Sequence, residues 1–211
     1  GLVRSWFAIL DASAVRAVDG DFPTNPDGSE NRSIYVTPEG LDIAQLTQKF
    51  LLGAVTFSQG ADDYLDDDTT GKGLQADHSM LVEGKSYTAL EHAWDEGFGY
   101  FGAAQDYLEY SDDEIAGKGG REDYQGYHDS NGDGEIDLIS EYNWGHSINA
   151  AKRDRKDSGS DFTADAFAAW LRGRALIAHN HGLDYDEWSA DDKADLDAQM
   201  VAVQAAWEGA V

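Results

Sequence analysis

The run YTALEHAWDEGFGYFG, residues 87–102, sets the strongest constraint on what this chain can fold into. Tyr87, Leu90, Trp94, Phe98 and Phe101 recur at three- and four-residue steps, which gathers them on one face of a helix. His92 and Glu96 then sit one turn apart on the far face, with Glu91 and Asp95 on the flank. So aromatic a stripe must be covered by other elements, while the far face is either solvated or the wall of a metal site. Gly97, Gly99 and Gly102 would each cost about 1 kcal/mol against alanine in a helix interior, so close approach of a neighbour or a ligand must offset them. The letters GFGYFG match G-x-G-x-x-G, but here they close a helix instead of following a strand, which excludes a dinucleotide fingerprint.

Further helices follow from the same periodicity. Residues 1–17 can form a short amphipathic helix through Trp6, Phe7, Leu10 and Ala14. A turn-rich connection, 19–38, holds Pro23, Pro26 and Pro38. From Thr37 or Pro38 a long helix is expected, with Ile43, Leu46, Phe50, Ala54, Phe57, Ala61 and Tyr64 on one face up to the acidic stop at Asp66–Asp68. Ser86 is the expected cap of the central aromatic helix. A polar, glycine-rich connection, 105–128, precedes a helix expected over 138–155, whose basic run Lys152, Arg153, Arg155 and Lys156 suits its negative end. Ser160 or Asp161 and then Ser189 cap the last two helices. No period-two strand pattern and no internal repeat appears. The expected fold is all-α: a single domain, 1–211, built as a bundle of four to six helices with long polar loops.

Charge narrows the partners. Forty-one acidic against fifteen basic residues give a formal charge of −26, which repels phosphate and makes nucleic acid or an anionic lipid surface an unsuitable partner. No apolar run approaches the roughly 20 residues that span a bilayer. Without cysteine there is neither a disulfide framework nor a thiolate metal site. Cations are the natural partners of such a chain.

Two places could hold one. Asp129-Ser130-Asn131-Gly132-Asp133-Gly134-Glu135-Ile136-Asp137 places oxygens at loop positions one, three and five and glycine at six, as an EF-hand-like calcium loop requires. Asp129, Asn131 and Asp133 would supply side-chain oxygens, Glu135 its carbonyl and Asp137 a direct or water-bridged contact. The loop, 129–141, departs from the pattern at position twelve, where Ser140 stands and the acid, Glu141, follows one residue later. An Asx-rich turn without metal is the alternative. The second place is the central helix, where His92 with Glu96 or Asp95 could ligate iron or zinc, helped by Glu141, His146, His179 or His181 from other helices. The two-histidine spacing of a zinc peptidase is absent.

The blocks GLDIAQLTQKFLLGAVTFSQGADDYL, VEGKSYTALEHAWDEGFGYFG and DSNGDGEIDLISEYNWGHSINAAKRD resemble an uncharacterised bacterial family of secreted or lipoprotein type, similar more distantly to the imelysins. Imelysins carry a G-x-H-x-x-E element. Its His matches His92, its acid falls at Asp95 with Glu96 beside it, and its Gly is replaced by Leu90. The resemblance implies an all-helical exported protein, secreted, periplasmic or cell-surface, with an iron-related role. The expected function is therefore a non-enzymatic metal-binding protein with structural calcium and a second cation site. Two alternatives are a calcium-rigidified, self-associating homo-oligomeric or adhesive subunit with Trp6, Tyr124, Tyr127, Trp188 and Trp207 at contacts, and a metallohydrolase.

Overall fold

The computed structural model describes residues 1–117, 127–155 and 159–211. Tyr124 and Lys156, and part of the 105–128 connection, lie outside the described residues. The chain forms two compact units, Gly1–Ala54 and Val55–Val211. Among the described residues the architecture is all-α, with isolated bridges such as Thr24–Glu30 and Leu81–Thr88 as the only extended pairing.

The first unit contains α1 (Leu2–Asp19) and α2, which starts at Ile43. Trp6 meets Phe50 edge-on, their ring centroids 5.5 Å apart. The connection between the helices is ordered by its own polar groups, Asn31 donating through Nδ2 to the Val36 carbonyl at 2.8 Å. Asp42, not Pro38, caps α2, accepting from the Gln45 amide at 2.9 Å. The start is late because Gly40 turns with φ of 88°, which no continuing helix permits.

The helix that was expected to run unbroken to Tyr64 is α-helical only over Ile43–Leu51; Leu52–Phe57 and Gln59–Tyr64 are π-helical. The wider π turn adds Thr56 and Gly60 to the inward positions, beside Phe57 of the expected face, whose ring meets Trp207 edge-on at 5.5 Å.

The second unit is built around α3 (Ala89–Phe101), α5 (His146–Asp154), α6 (Phe162–His179) and α7 (Ala190–Ala210), with a short α4 (Asp112–Ala116). The aromatic stripe of α3 faces inward as its spacing requires: Leu90, Trp94 and Phe101 are fully buried. Tryptophan rings fill places where glycine leaves no side chain. Trp94 lies against Gly173 of α6, Trp170 against Gly97 of α3, and Trp207 of α7 against Gly60. The Trp94 ring is also fixed in orientation, since Nε1 donates to the Trp170 carbonyl at 3.0 Å. Glycine thus offsets its helix penalty by admitting a ring that buries 150–250 Å2.

Local caps set the helix ends. Thr88, not Ser86, begins α3: its hydroxyl accepts from the Glu91 amide while Glu91 accepts from the Thr88 amide. Thr88 also meets His78 Nδ1 at 2.6 Å, and His78 Nε2 lies 2.7 Å from the Ile177 carbonyl, so a buried imidazole ties the start of α3 to α6. Asp161 and Ser189 cap α6 and α7 as expected. The helix expected over 138–155 is shorter, because Gly145 with φ of 63° breaks it before His146. Trp188 and Trp207, expected at exposed contacts, are core residues, 4% and 0% exposed.

Trp94→Ala removes a fully enclosed ring and its hydrogen bond, and it leaves a notch at Gly173 with nothing to fill it. Its expected cost is roughly 3–5 kcal/mol of unfolding free energy in urea titrations; a loss below about 1 kcal/mol would contradict the packing described.

Candidate functional site

The outward face of α3 carries His92, Asp95, Glu96, Gly99 and Tyr100 at helical spacing, and with Trp144 these residues line an open groove of about 360 Å3. The central helix glycines divide the labour. Gly97 accommodates Trp170. Gly102 ends the helix in the left-handed region, φ 86°, where a side chain would meet Trp144. Gly99 does neither: a Cβ there would meet nothing within 4 Å. Its one structural effect is to lower the floor of the groove.

The walls are fixed from several elements. Tyr64, at the end of the π-helical segment, stacks on Tyr100 with centroids 5.7 Å apart and hydrogen-bonds Glu96. Burial first and the neighbouring Glu96 charge second raise the pKa of the Tyr64 phenol, which therefore stays a donor to that carboxylate. His92 stacks on Tyr87 at 4.9 Å and its Nε2 lies 3.6 Å from Glu96 Oε1. Asp95 accepts from Arg174 Nε at 2.9 Å. Desolvation raises the Asp95 pKa, and the Arg174 guanidinium opposes that rise.

Trp144 was not anticipated from sequence. The Trp144 amide donates to the Gly102 carbonyl at 2.9 Å, and the single Ser147 hydroxyl proton lies between the carbonyls of Gly102 and Trp144, 2.8 and 2.9 Å from Oγ. The indole is thereby held at the C-terminal end of α3. The bonds to Gly102, more than forty residues away, tie it to α3, and no local motif marks them.

A second open cavity, about 330 Å3, lies on the other side of His92 and is lined by Asp63, Tyr64, Lys72 and Ala93 among others.

The 129–141 loop closes on itself. Asp129 accepts from the amides of Gly132 at 2.7 Å, Asp133 at 3.1 Å and Gly134 at 2.9 Å. Asn131 accepts from the Asp133 amide, Asp133 from Glu135, and Asp137 from Ile139. Glu141 is fully shielded and takes the Ser130 amide and hydroxyl on Oε1 at 2.7 and 2.6 Å and the Asp137 amide on Oε2 at 2.9 Å. The Ser130 hydroxyl, followed by these amides, pushes its pKa down to about 2.

These bonds correct the cofactor and partner expectations. Among the described residues no group of three or more His, Asp or Glu side chains could hold a metal ion. The oxygens of Asp129, Asn131, Asp133, Asp137 and Glu141 are directed at the loop's own amides, and Glu135 is exposed. Calcium is therefore not a cofactor of this loop, and metal cations lose their place as partners. The iron or zinc site expected around His92 fails for a similar reason. Asp95 is engaged by Arg174, Glu141 is inside the loop, His146 packs on Trp207 at 5.7 Å, and His181 pairs with Glu91 at 3.6 Å. His179 is exposed at the end of α6.

The loop instead serves as a strut. Its Ser140 carbonyl accepts from the Gln105 amide at 2.7 Å, and Asn143 Oδ1 accepts from the Ala104 amide at 2.8 Å, which ties the segment before Trp144 to the chain leaving α3.

A family model described as Domain of unknown function (DUF4856) matches residues 3–206. No curated protein and no solved structure matches the chain.

Glu141→Gln tests the strut. Because the folded carboxyl has its pKa depressed, its contribution is complete above the ordinary carboxylate range and is lost as pH falls toward about 2. Melting curves should place E141Q below wild type near neutrality, with the gap closing as pH falls through that window. A gap that persists unchanged to the acid end would contradict the assignment.

Proposed function

From the premise that the chain belongs to the family of the Domain of unknown function (DUF4856), we propose that it is a non-enzymatic binding protein whose α3 groove receives a small organic cation. One observation carries the reading. Gly99 is an exposed glycine in the last turn of α3, with open space around it and no packing return for its missing side chain. A ligand seated on the helix backbone supplies the missing compensation.

The chemistry of the walls selects the ligand class. Asp95 and Glu96 offer carboxylate oxygens beyond those used by Arg174 and Tyr64, since each carboxylate has about four acceptor positions. Tyr100 and Trp144 offer aromatic faces to an ammonium or guanidinium group. A formal charge of −26 raises the local concentration of such ligands and speeds their encounter. The imelysin likeness around His92 and Asp95, with the acidic surface, supports a secreted, periplasmic or cell-surface setting.

Gly99→Leu fills the floor of the groove without touching the core. Calorimetric titration with agmatine should give saturable binding to wild type and none to G99L, while G99L melts no lower than wild type and gains up to about 1 kcal/mol from helix propensity. Equal binding by both proteins would sink the proposal.

A further inference from the structure

The groove and the second cavity share a wall. His92 lines both, with Asp95, Glu96 and Trp144 on one side and Asp63, Tyr64 and Lys72 on the other. Tyr64 also connects them, since it lines the second cavity and its ring and hydroxyl support Tyr100 and Glu96 of the groove.

Lys72 is unusual in its surroundings. Asp62, Asp63, Asp66, Asp67 and Asp68 are close in sequence, yet no salt bridge engages Lys72 among the described residues. The helical turn that begins at Gly73 holds it at the cavity; Gly73 itself cannot carry a side chain, because a Cβ would collide with the Asp66 carbonyl. Asp63 is used on one oxygen by Gln59 Nε2, which leaves the other for a ligand. Lys72 and Asp63, one cationic and one anionic, therefore line the same cavity.

We infer that the two cavities form one binding site for a basic α-amino acid: its side-chain cation lies in the α3 groove against Asp95, Glu96 and Trp144, its methylene chain crosses His92, and its α-carboxylate and α-ammonium meet Lys72 and Asp63. This inference rests on the groove reading above and adds the ligand's second end. Charge alternates along the site as it does along such a molecule. A simple diamine would satisfy the groove and leave Lys72 facing an ammonium, a like-charge contact that costs affinity.

Arginine and agmatine separate the two ideas, because agmatine is arginine without its carboxylate. Calorimetric titrations of the full chain, wild type and Lys72→Met, use both at physiological salt. General attraction to an acidic protein favours agmatine, the more positive of the two, so the expected order is the stringent one. Arginine should bind wild type about tenfold more tightly than agmatine, as one charge-assisted hydrogen bond allows. In K72M arginine should weaken by about tenfold and agmatine should not weaken. Lys72 is exposed, and unchanged melting of K72M confirms that its fold is intact. If both ligands bind but agmatine equals or exceeds arginine, the inference about the second end is overturned and the groove stands. If neither binds, the groove reading falls and this inference with it.

Discussion

Tryptophan seated against glycine is the contact on which the larger unit depends. Trp94 of α3 enters at Gly173 of α6, Trp170 of α6 returns the contact at Gly97 of α3, and Trp207 of α7 fills the space over Gly60. Each ring fits only because the opposing residue has no Cβ, so the helices approach closely and their register is set by where the glycines fall. Phe98 and Phe101 extend the aromatic cluster, each meeting a tryptophan ring at 5.6–5.8 Å. A core of this kind is intolerant of methyl-sized additions at those glycines and of ring loss opposite them.

That packing consumes the inner face of α3 and leaves the outer face to be shaped by other means. The helix carries its own cap at Thr88 and ends at Gly102 in a left-handed turn, which brings Trp144 to its C-terminal end. The segment before Trp144 is secured by Glu141, whose carboxylate gathers the amides of a nine-residue acidic run into a closed loop. A carboxylate with its pKa near 2 is thus a positional device: it holds a loop, the loop holds an indole, and the indole walls the groove. The π-helical segment contributes from the opposite side, its last residue Tyr64 bracing Tyr100 and Glu96.

Features set by short-range physics could be read from the residues alone. The inward aromatic stripe of α3, the outward placement of His92 and Glu96, the caps at Asp161 and Ser189, and the need for close approach at Gly97 all follow from spacing within a turn or two. The acidic loop misleads because oxygens spaced to wrap a cation are spaced equally well to accept successive backbone amides, and sequence does not say which partner they find. The π turns after Leu51 leave no mark in a 3.6-residue pattern, so the inward placement of Thr56 and Gly60 goes unread while that of Phe57 is legible. Trp144 and Lys72 reach their places through contacts far along the chain or through a turn fixed by a carbonyl, and Trp188 is drawn into a core that its local polar context conceals, whereas the stripe Leu196, Val203 and Trp207 of α7 is legible from its spacing.

The proposed role of the outer face of α3, opened at Gly99, is that of a binding surface and not merely a solvated back. Backbone and indole NMR shifts during titration with arginine test it directly. Saturable perturbations are expected at His92, Asp95, Glu96, Gly99, Tyr100 and the Trp144 indole, continuing to Lys72. Perturbations absent there, or confined to the acidic loop of Asp129 and Glu141, would contradict it.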